Sequence, residues 1–336
     1  MTAGSDLESH LLGGEPEEPA EEVRGKAVVS KSPTQLALGR FRKDKLSMIS
    51  FVIVALYFLA ALAAPILVGT GVLNPLASNQ DLLDENTLPI GSFGGISWDH
   101  PLGVEPGTGR DTMSRVWYGI TFSLMISISA TFIAVILGVV LGIVSGASGG
   151  WADAVIGRLI DLTLAFPQTL MLLALSAVGI AFLTETMNVP GGDPADALYV
   201  ILVLGLFGWT AVARIVRGQV LSLREREFVQ AAQMLGASKF RIYFREILPN
   251  LWAPILVSFT LIMPAFVSAE AALSYLGISI KPPTPTLGNI LRDSLSYAQN
   301  DFVFFFVPAF LIALIVVTFN LLGDGLRDAL DPKGHR

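Results

Sequence analysis

Side chains able to do chemistry are few in this sequence, and their spacing excludes most kinds of catalysis. The histidines, His10, His100 and His335, stand in three different regions, so no i,i+4 pair is available to hold a metal. Cysteine is absent, which removes disulfides, thiol nucleophiles and Cys-ligated metals. No G-x-x-x-x-G-K-S/T loop occurs: Gly25-Lys26 is followed by Ala27, so a nucleotide phosphate finds no cradle of that type. Work drawn from ATP would have to arrive from another polypeptide. Two features remain. One is Glu270, a carboxylate far inside an apolar run. The other is the stretch 224–250, "REREFVQAAQMLGASKFRIYFREILPN", in which Phe228, Ala231, Ala232 and Leu235 recur at helical spacing. A second set, Phe240, Tyr243, Phe244, Ile247 and Leu248, follows Gly236, with Arg241 and Arg245 among it. Apolar stripes flanked by charge suit recognition, not bond-making.

The elements that must carry these residues belong to a membrane. The chain of 336 residues is 52% hydrophobic and 15% charged, with a mean hydropathy of +0.62. Six apolar runs are expected to span, at about residues 47–68, 120–145, 162–183, 198–216, 251–276 and 302–322. A helix rises ~1.5 Å per residue, so ~20 residues cross the ~30 Å hydrocarbon core. Unalternating runs of this length are helices, because only a helix satisfies its own backbone there. Arg40, Arg42, Lys43 and Lys45 abut the first run and place the N-terminus inside. The 69–119 segment is acid-rich and reads as external, and 217–250 is basic and reads as cytoplasmic. The expected organisation is a disordered acidic tail (1–39), a first span with its basic flank (40–68), an external loop (69–119), a core of five spans (120–323) and a cytoplasmic C-terminal tail (324–336). Both termini fall on the cytoplasmic side.

Within 217–250 the spacing predicts two short amphipathic helices. Ser222 with Glu225 fits a capping box for the first, unless the fourth span runs on continuously. Gly236 suits a left-handed C-terminal turn, Ser238 can cap the second helix, and Pro249 marks the start of the fifth span. Two readings fit the spacing: a hairpin lying on lipid headgroups, or one docking in a groove of a cytoplasmic partner. The small pair Ala231–Ala232 favours docking. Arg241 and Arg245 fit acidic groups on that partner or lipid phosphates equally.

Other features carry two readings each. Glu270 lies ~29 Å along the fifth helix, near the outer interface, as a structural contact or as part of a translocation path or external gate. Arg158 and Asp161 fall at the inner edge of the third span, and Pro167 and Pro264 are expected to kink their helices. "KPPTPT" (281–286), with Pro282 and Pro283, is a stiff external turn, either a connector or the lining of a substrate entrance. Gly138, Gly142 and Gly146 repeat four apart and predict close helix packing, within one subunit or at a dimer seam.

Gln230-Ala231-Ala232, then Gly236, then Leu248-Pro249 resembles the "EAA" loop of ATP-binding-cassette importer permeases, E-A-A-x3-G-x9-I-x-L-P. Gln230 replaces the glutamate, and Glu246 stands where isoleucine is expected. Four segments are similar to the C-type permease of dipeptide/oligopeptide importers: "GRDTMSRVWYGITFSL" (109–124), "RLIDLTLAFPQTLMLLAL" (158–175), "AEAALSYLGISIKPPTPTLGN" (269–289) and "NLLGDGLRDALDP" (320–332). The family's G-T-D-x-x-G-R-D element is altered, with Gly103-Val104-Glu105 and one extra residue before Gly109-Arg110-Asp111. The resemblance implies an all-α, six-helix type I importer permease fold with a cytoplasmic coupling hairpin. It implies a non-catalytic subunit for di- or oligopeptide import in a bacterial inner membrane. Importers of nickel complexes or glutathione are the nearest alternatives, and an ion-driven carrier a more distant one. The implied partners are a homologous permease in a heterodimer, two cytoplasmic ATPase subunits that hold ATP and magnesium, and an external substrate-binding protein. No cofactor is expected on this chain. The implied coupling residues are Phe228, Gln230, Ala231, Ala232, Leu235, Gly236, Arg241, Arg245, Leu248 and Pro249.

Overall fold

A computed structural model describes residues 33–330, and their regular structure is helical apart from three isolated β-bridges near the loop after the first long helix. Six helices are long and apolar enough to cross a membrane. They correspond to the six runs expected from the sequence; four extend beyond the expected bounds, the third starts later, at Gln168, and the fifth is one residue shorter at each end. α1 (Pro33–Lys43) is short and amphipathic and leads into α2 (Lys45–Gly69). The Asp44 carboxylate caps α2 by accepting from Leu46 N at 3.1 Å. A folded loop then leads to α3 (Thr112–Ser148), capped by Asp111 through Ser114 N at 2.7 Å. α4 (Gly150–Ala165) and α5 (Gln168–Ala181) follow, α5 continuing as a π-wound turn over Phe182–Thr186. α6 (Asp193–Leu223) returns to a hairpin made of α7 (Glu227–Met234) and α8 (Lys239–Arg241). α9 (Trp252–Tyr275), α10 (Leu287–Leu295) and α11 (Phe302–Leu330) complete the bundle.

Alternating directions put α1, α4, α7 and α8 at one end, here the hairpin end. The 70–111 loop, the turn after α9 and α10 lie at the other, the loop end. The central contact joins α3 to α6. Gly138, Gly142 and Gly146 of α3 face Val212, Val216 and Val220 of α6. A methyl group on Gly142 would stand 2.8 Å from Val216 Cβ and 2.9 Å from the Ala213 carbonyl. The glycines therefore serve packing within this chain. Apolar side chains gain little from leaving lipid for protein, so helices in a bilayer associate largely by such close van der Waals fit.

Several expectations are corrected. The third run is not one kinked helix: Phe166 is extended (φ −96°, ψ 135°), and α4 ends before Pro167. The residue before a proline is driven out of the helical region, and here the chain breaks outright. Pro264, by contrast, lies within a continuous α9. The Ser222–Glu225 capping box does not form, because α6 runs on to Leu223 and α7 starts at Glu227 with no side-chain cap. Arg158 and Asp161 lie on α4. α1 occupies the last part of the segment read as a tail, and α11 extends to Leu330. Residues 1–32 and 331–336, with the acidic stretch and most of the C-terminal tail, lie outside the described residues.

Replacing Gly142 with valine should destabilise the bundle by about 1–3 kcal/mol, the usual cost of overpacking. Reversible unfolding in detergent measures this, and an unchanged midpoint would contradict the tight seam.

Candidate functional site

The hairpin grows from the far end of the α3–α6 seam. α7 closes on Gly236, whose φ of +77° lies in the left-handed region. Gly236 N donates to Gln233 O and Ala237 N to Ala232 O, both at 3.0 Å, which satisfies the last carbonyls of α7. The Ser238 hydroxyl accepts from Arg241 N at 3.3 Å and starts the second arm, as expected from its position. That arm soon widens into a π-wound turn (Ile242–Ile247) and then tightens into a single 3-10 turn (Leu248–Asn250) ahead of α9. Pro249 has no N–H, and its ring crowds the carbonyl four residues back, so a regular ladder cannot pass it.

Val229, Ile242, Ile247 and Leu251 are buried in one cluster with Ile143, Val216 and Val220. Polar contacts reinforce this root. Arg217 grips both oxygens of Asp153 at 2.6 and 2.7 Å, and the Ser145 hydroxyl donates to the same carboxylate at 2.5 Å. Arg224 Nη1 donates to Gly146 O at 3.3 Å, and the Ser148 and Tyr243 hydroxyls are 2.7 Å apart. A cleft of about 490 Å³ lies beneath, lined in part by Ala147, Gln230, Gln233 and Ala237.

The stripe expected to be the hairpin's apolar face points away from this root. Phe228 is 41% exposed and Leu235 88%, Ala231 is exposed and Ala232 half-buried. Phe240 and Phe244 stack loosely at 4.4 Å between ring centres and are 71% and 48% exposed. Nothing stands within 4 Å of a side chain placed on Gly236. Arg241 and Arg245 are exposed, Leu248 half-buried and Pro249 exposed. The Gln230 amide donates to Glu225 O at 3.3 Å, a bond that a glutamate in that place could not donate. Glu246 is half-buried, and its carbonyl accepts from Asn250 Nδ2 at 2.7 Å. Sequence reasoning missed Val229 as the inward anchor and Asp153–Arg217 as the clamp. No spacing signal singles out Val229 among its apolar neighbours Phe228, Ala231 and Ala232, and the ion pair joins positions too distant to leave a local pattern.

At the loop end, Glu270 is fully buried and far from the hairpin. It accepts from the Ser123 hydroxyl at 2.9 Å and the Ser279 hydroxyl at 3.0 Å, joining α9 to α3 and to the turn after α9. Pro282 and Pro283 are exposed in that turn. Arg115, buried in the first turn of α3, forms an ion pair with Glu105 and donates to Pro283 O at 2.9 Å. Burial holds the Glu105 carboxyl above its usual range, against the pull of Arg115. Thr284 donates to Asp193 at 2.5 Å and Lys281 lies 3.3 Å from Asp196, so the turn is also tied to the start of α6. The structure thus separates the hairpin residues from Glu270, Pro282 and Pro283 by the length of the bundle.

Residues 138–335 match the family of binding-protein-dependent transport system inner membrane components. Residues 32–89 match the N-terminal TM domain of oligopeptide transport permease C. Over 325 residues the chain is 35% identical to the dipeptide transport system permease protein DppC of Alkalihalophilus pseudofirmus, covering 96% of each. It is 36% identical over 320 residues to the oligopeptide transport system permease protein OppC of Bacillus subtilis, covering 94% of this chain and 96% of that one. Among solved structures it shares the fold of an inward facing conformation of the MetNI methionine ABC transporter. The TM-score is 0.51 at 19% identity, over 65% of this chain and 97% of that one.

Hydrogen bonds from Arg217 and then Ser145 hold the Asp153 carboxyl down to about 2, below its ordinary 3.8. A depressed carboxyl stabilises fully above its unfolded value and loses that contribution as pH falls through the folded one. The gap in unfolding midpoint between the native chain and Asp153→Asn should hold steady above about pH 4 and close towards about pH 2. A gap that does not change over that range would mean the clamp contributes nothing through its charge.

Proposed function

The chain belongs to the family of binding-protein-dependent transport system inner membrane components, and we propose that it is the permease subunit of an ATP-driven importer of di- and oligopeptides. The names of its 35–36% identical relatives support that substrate class. In this reading the chain sits in a bacterial inner membrane with both termini and the hairpin in the cytoplasm. It catalyses nothing itself. ATP and magnesium are held by two ATPase subunits, and an external binding protein delivers the peptide.

One observation carries the coupling role: the hairpin is fastened by one face and open on the other. Val229 and Ile247 root it in the bundle, while Phe228, Leu235 and Phe240 point outward. A partner groove that covered Phe228 or Leu235 would gain ~1.5–3 kcal/mol from each. Ala231 and the open surface at Gly236 let that partner approach closely. Movement of the hairpin passes through Leu251 into α9, whose 24 residues reach ~36 Å. At its far end α9 carries Glu270 and the proline turn, so one helix joins the ATPase side to the external side. A second, homologous permease completes the pathway against α5, which is the least hydropathic and least buried of the six spans. A helix of that kind is better covered by protein or water than by lipid.

Gly236→Val should lower peptide uptake and peptide-stimulated ATP hydrolysis about five- to thirtyfold, since a β-branched residue in the left-handed region costs ~1–2 kcal/mol. Insertion into the membrane, read by immunoblot, should be unchanged. Cysteine at Ala231 should cross-link to the ATPase in the assembled transporter. Normal uptake in the variant, or uptake by this chain reconstituted with no ATPase, would overturn the reading.

A further inference from the structure

An apolar groove of about 560 Å³ opens at the hairpin end between α1, α2, α9 and α11. That size is within the usual range of small-molecule clefts, about 300–1,000 Å³. Phe41 of α1, Phe51 of α2, Leu256 of α9 and Leu326 of α11 are among its walls, and Phe41 and Phe51 meet edge to face at 6.3 Å. Arg42 is the one charged side chain lining it among the described residues. The groove is open to the bilayer, because Phe51 and Leu256 remain exposed.

Its depth is marked by Trp252, the first residue of α9, which lines the groove and is 47% exposed. An indole at the end of a spanning helix sits at headgroup level. α1 has the form of an interfacial helix, with Leu38 and Phe41 on the groove and Arg40, Arg42 and Lys43 in its last turn. Lys45 follows at once at the start of α2. Residues 40–45 thus hold four cations and one acid, Asp44. The Asp44 carboxylate is engaged by Leu46 N and the Ser47 hydroxyl in capping α2. Arg42, Lys43 and Lys45 are exposed and form no ion pair among the described residues. Of the other acids on the elements forming the groove, Asp324 and Asp328 of α11 are exposed and do not line it, and Glu270 of α9 is buried at the loop end. An apolar slot at headgroup level with a cationic mouth matches a molecule that has an acyl chain below and a negative charge above.

We propose that this groove binds one anionic phospholipid, its acyl chain between Phe41, Phe51 and Leu326 and its phosphate on Arg42. Lys43 and Lys45 add to the field that draws the headgroup. The site tethers the first two helices to the end of α11 through a lipid, independently of which solute the protein carries.

Quenching of Trp252 by acyl-brominated lipids tests this in the assembled transporter, reconstituted in nanodiscs that are mostly phosphatidylcholine. The chain has five tryptophans, so the Trp252 signal is the difference between the native chain and Trp252→Phe. Brominated phosphatidylglycerol should quench that signal at a lower mole fraction than brominated phosphatidylcholine. Arg42→Gln should raise the required fraction about fivefold, the effect of one cation at the membrane surface, and Arg42→Lys should restore most of it. Excess inorganic phosphate should leave the quenching unchanged. Equal quenching by the two lipids, or no effect of Arg42→Gln, would reduce the groove to an ordinary annular position and overturn the proposal. So would a cross-link from cysteine at Leu38 to residues 1–32 or to a second permease, because protein would then fill the groove.

Discussion

The α3–α6 seam is the contact from which the rest of the structure takes its geometry. Three glycines four residues apart bring α3 against a valine column on α6, and a single added methyl would collide with it. The same column then does a second task. Val216 and Val220 continue past the seam into the cluster that holds Val229, Ile242 and Ile247. The root of the hairpin is therefore an extension of the bundle's tightest packing and not an independent attachment. Asp153, Arg217, Ser145 and Arg224 close over that junction, where the helices reach the headgroup region and hydrogen bonds become available. Interdigitated interiors transmit displacement because they deform little.

The loop end solves a different problem. Glu270 and Arg115 are both fully buried, and a buried group with charge or unmet hydrogen bonds costs several kcal/mol unless its partners are in place. Each is met by one nearby residue and one distant in sequence: Glu270 by Ser279 and Ser123, Arg115 by Glu105 and the Pro283 carbonyl. The start of α3, the proline turn, the start of α6 and the 70–111 loop are thereby held in mutual register. Glu105 also explains how the altered loop motif is accommodated. Its amide donates to Arg110 O at 2.7 Å and its carbonyl accepts from Gly109 N at 2.9 Å, so the extra residue is taken up in a tight turn.

Features that depend on a local run of residues are legible in the sequence itself. Six spans, the left-handed turn at Gly236, the Ser238 cap and the glycine packing rows all follow from period, length or backbone preference. What stays hidden depends on distance or on degeneracy. An eight-residue helix such as α7 has about two turns, and with apolar residues at 228, 229, 231, 232 and 234 its inward side is undetermined by spacing. The pairing of Arg115 with a carbonyl 168 positions away leaves no periodic trace. Pro167 and Pro264 look alike in sequence, yet one ends a helix and the other does not.

The break at Phe166–Pro167 bears on where this chain meets lipid. Ile160, nearly two turns before it, packs with Trp209 near the middle of α6, so the interruption lies well along the span, on its exposed surface. The last carbonyls of α4 and the first amides of α5 have no side-chain caps there. Hydrocarbon is a poor solvent for such groups, so the surface around the break has to be wetted or covered by protein. One side of this permease is thus unsuited to facing acyl chains directly, and an isolated copy in a bilayer would expose that seam of bare backbone to the wrong medium.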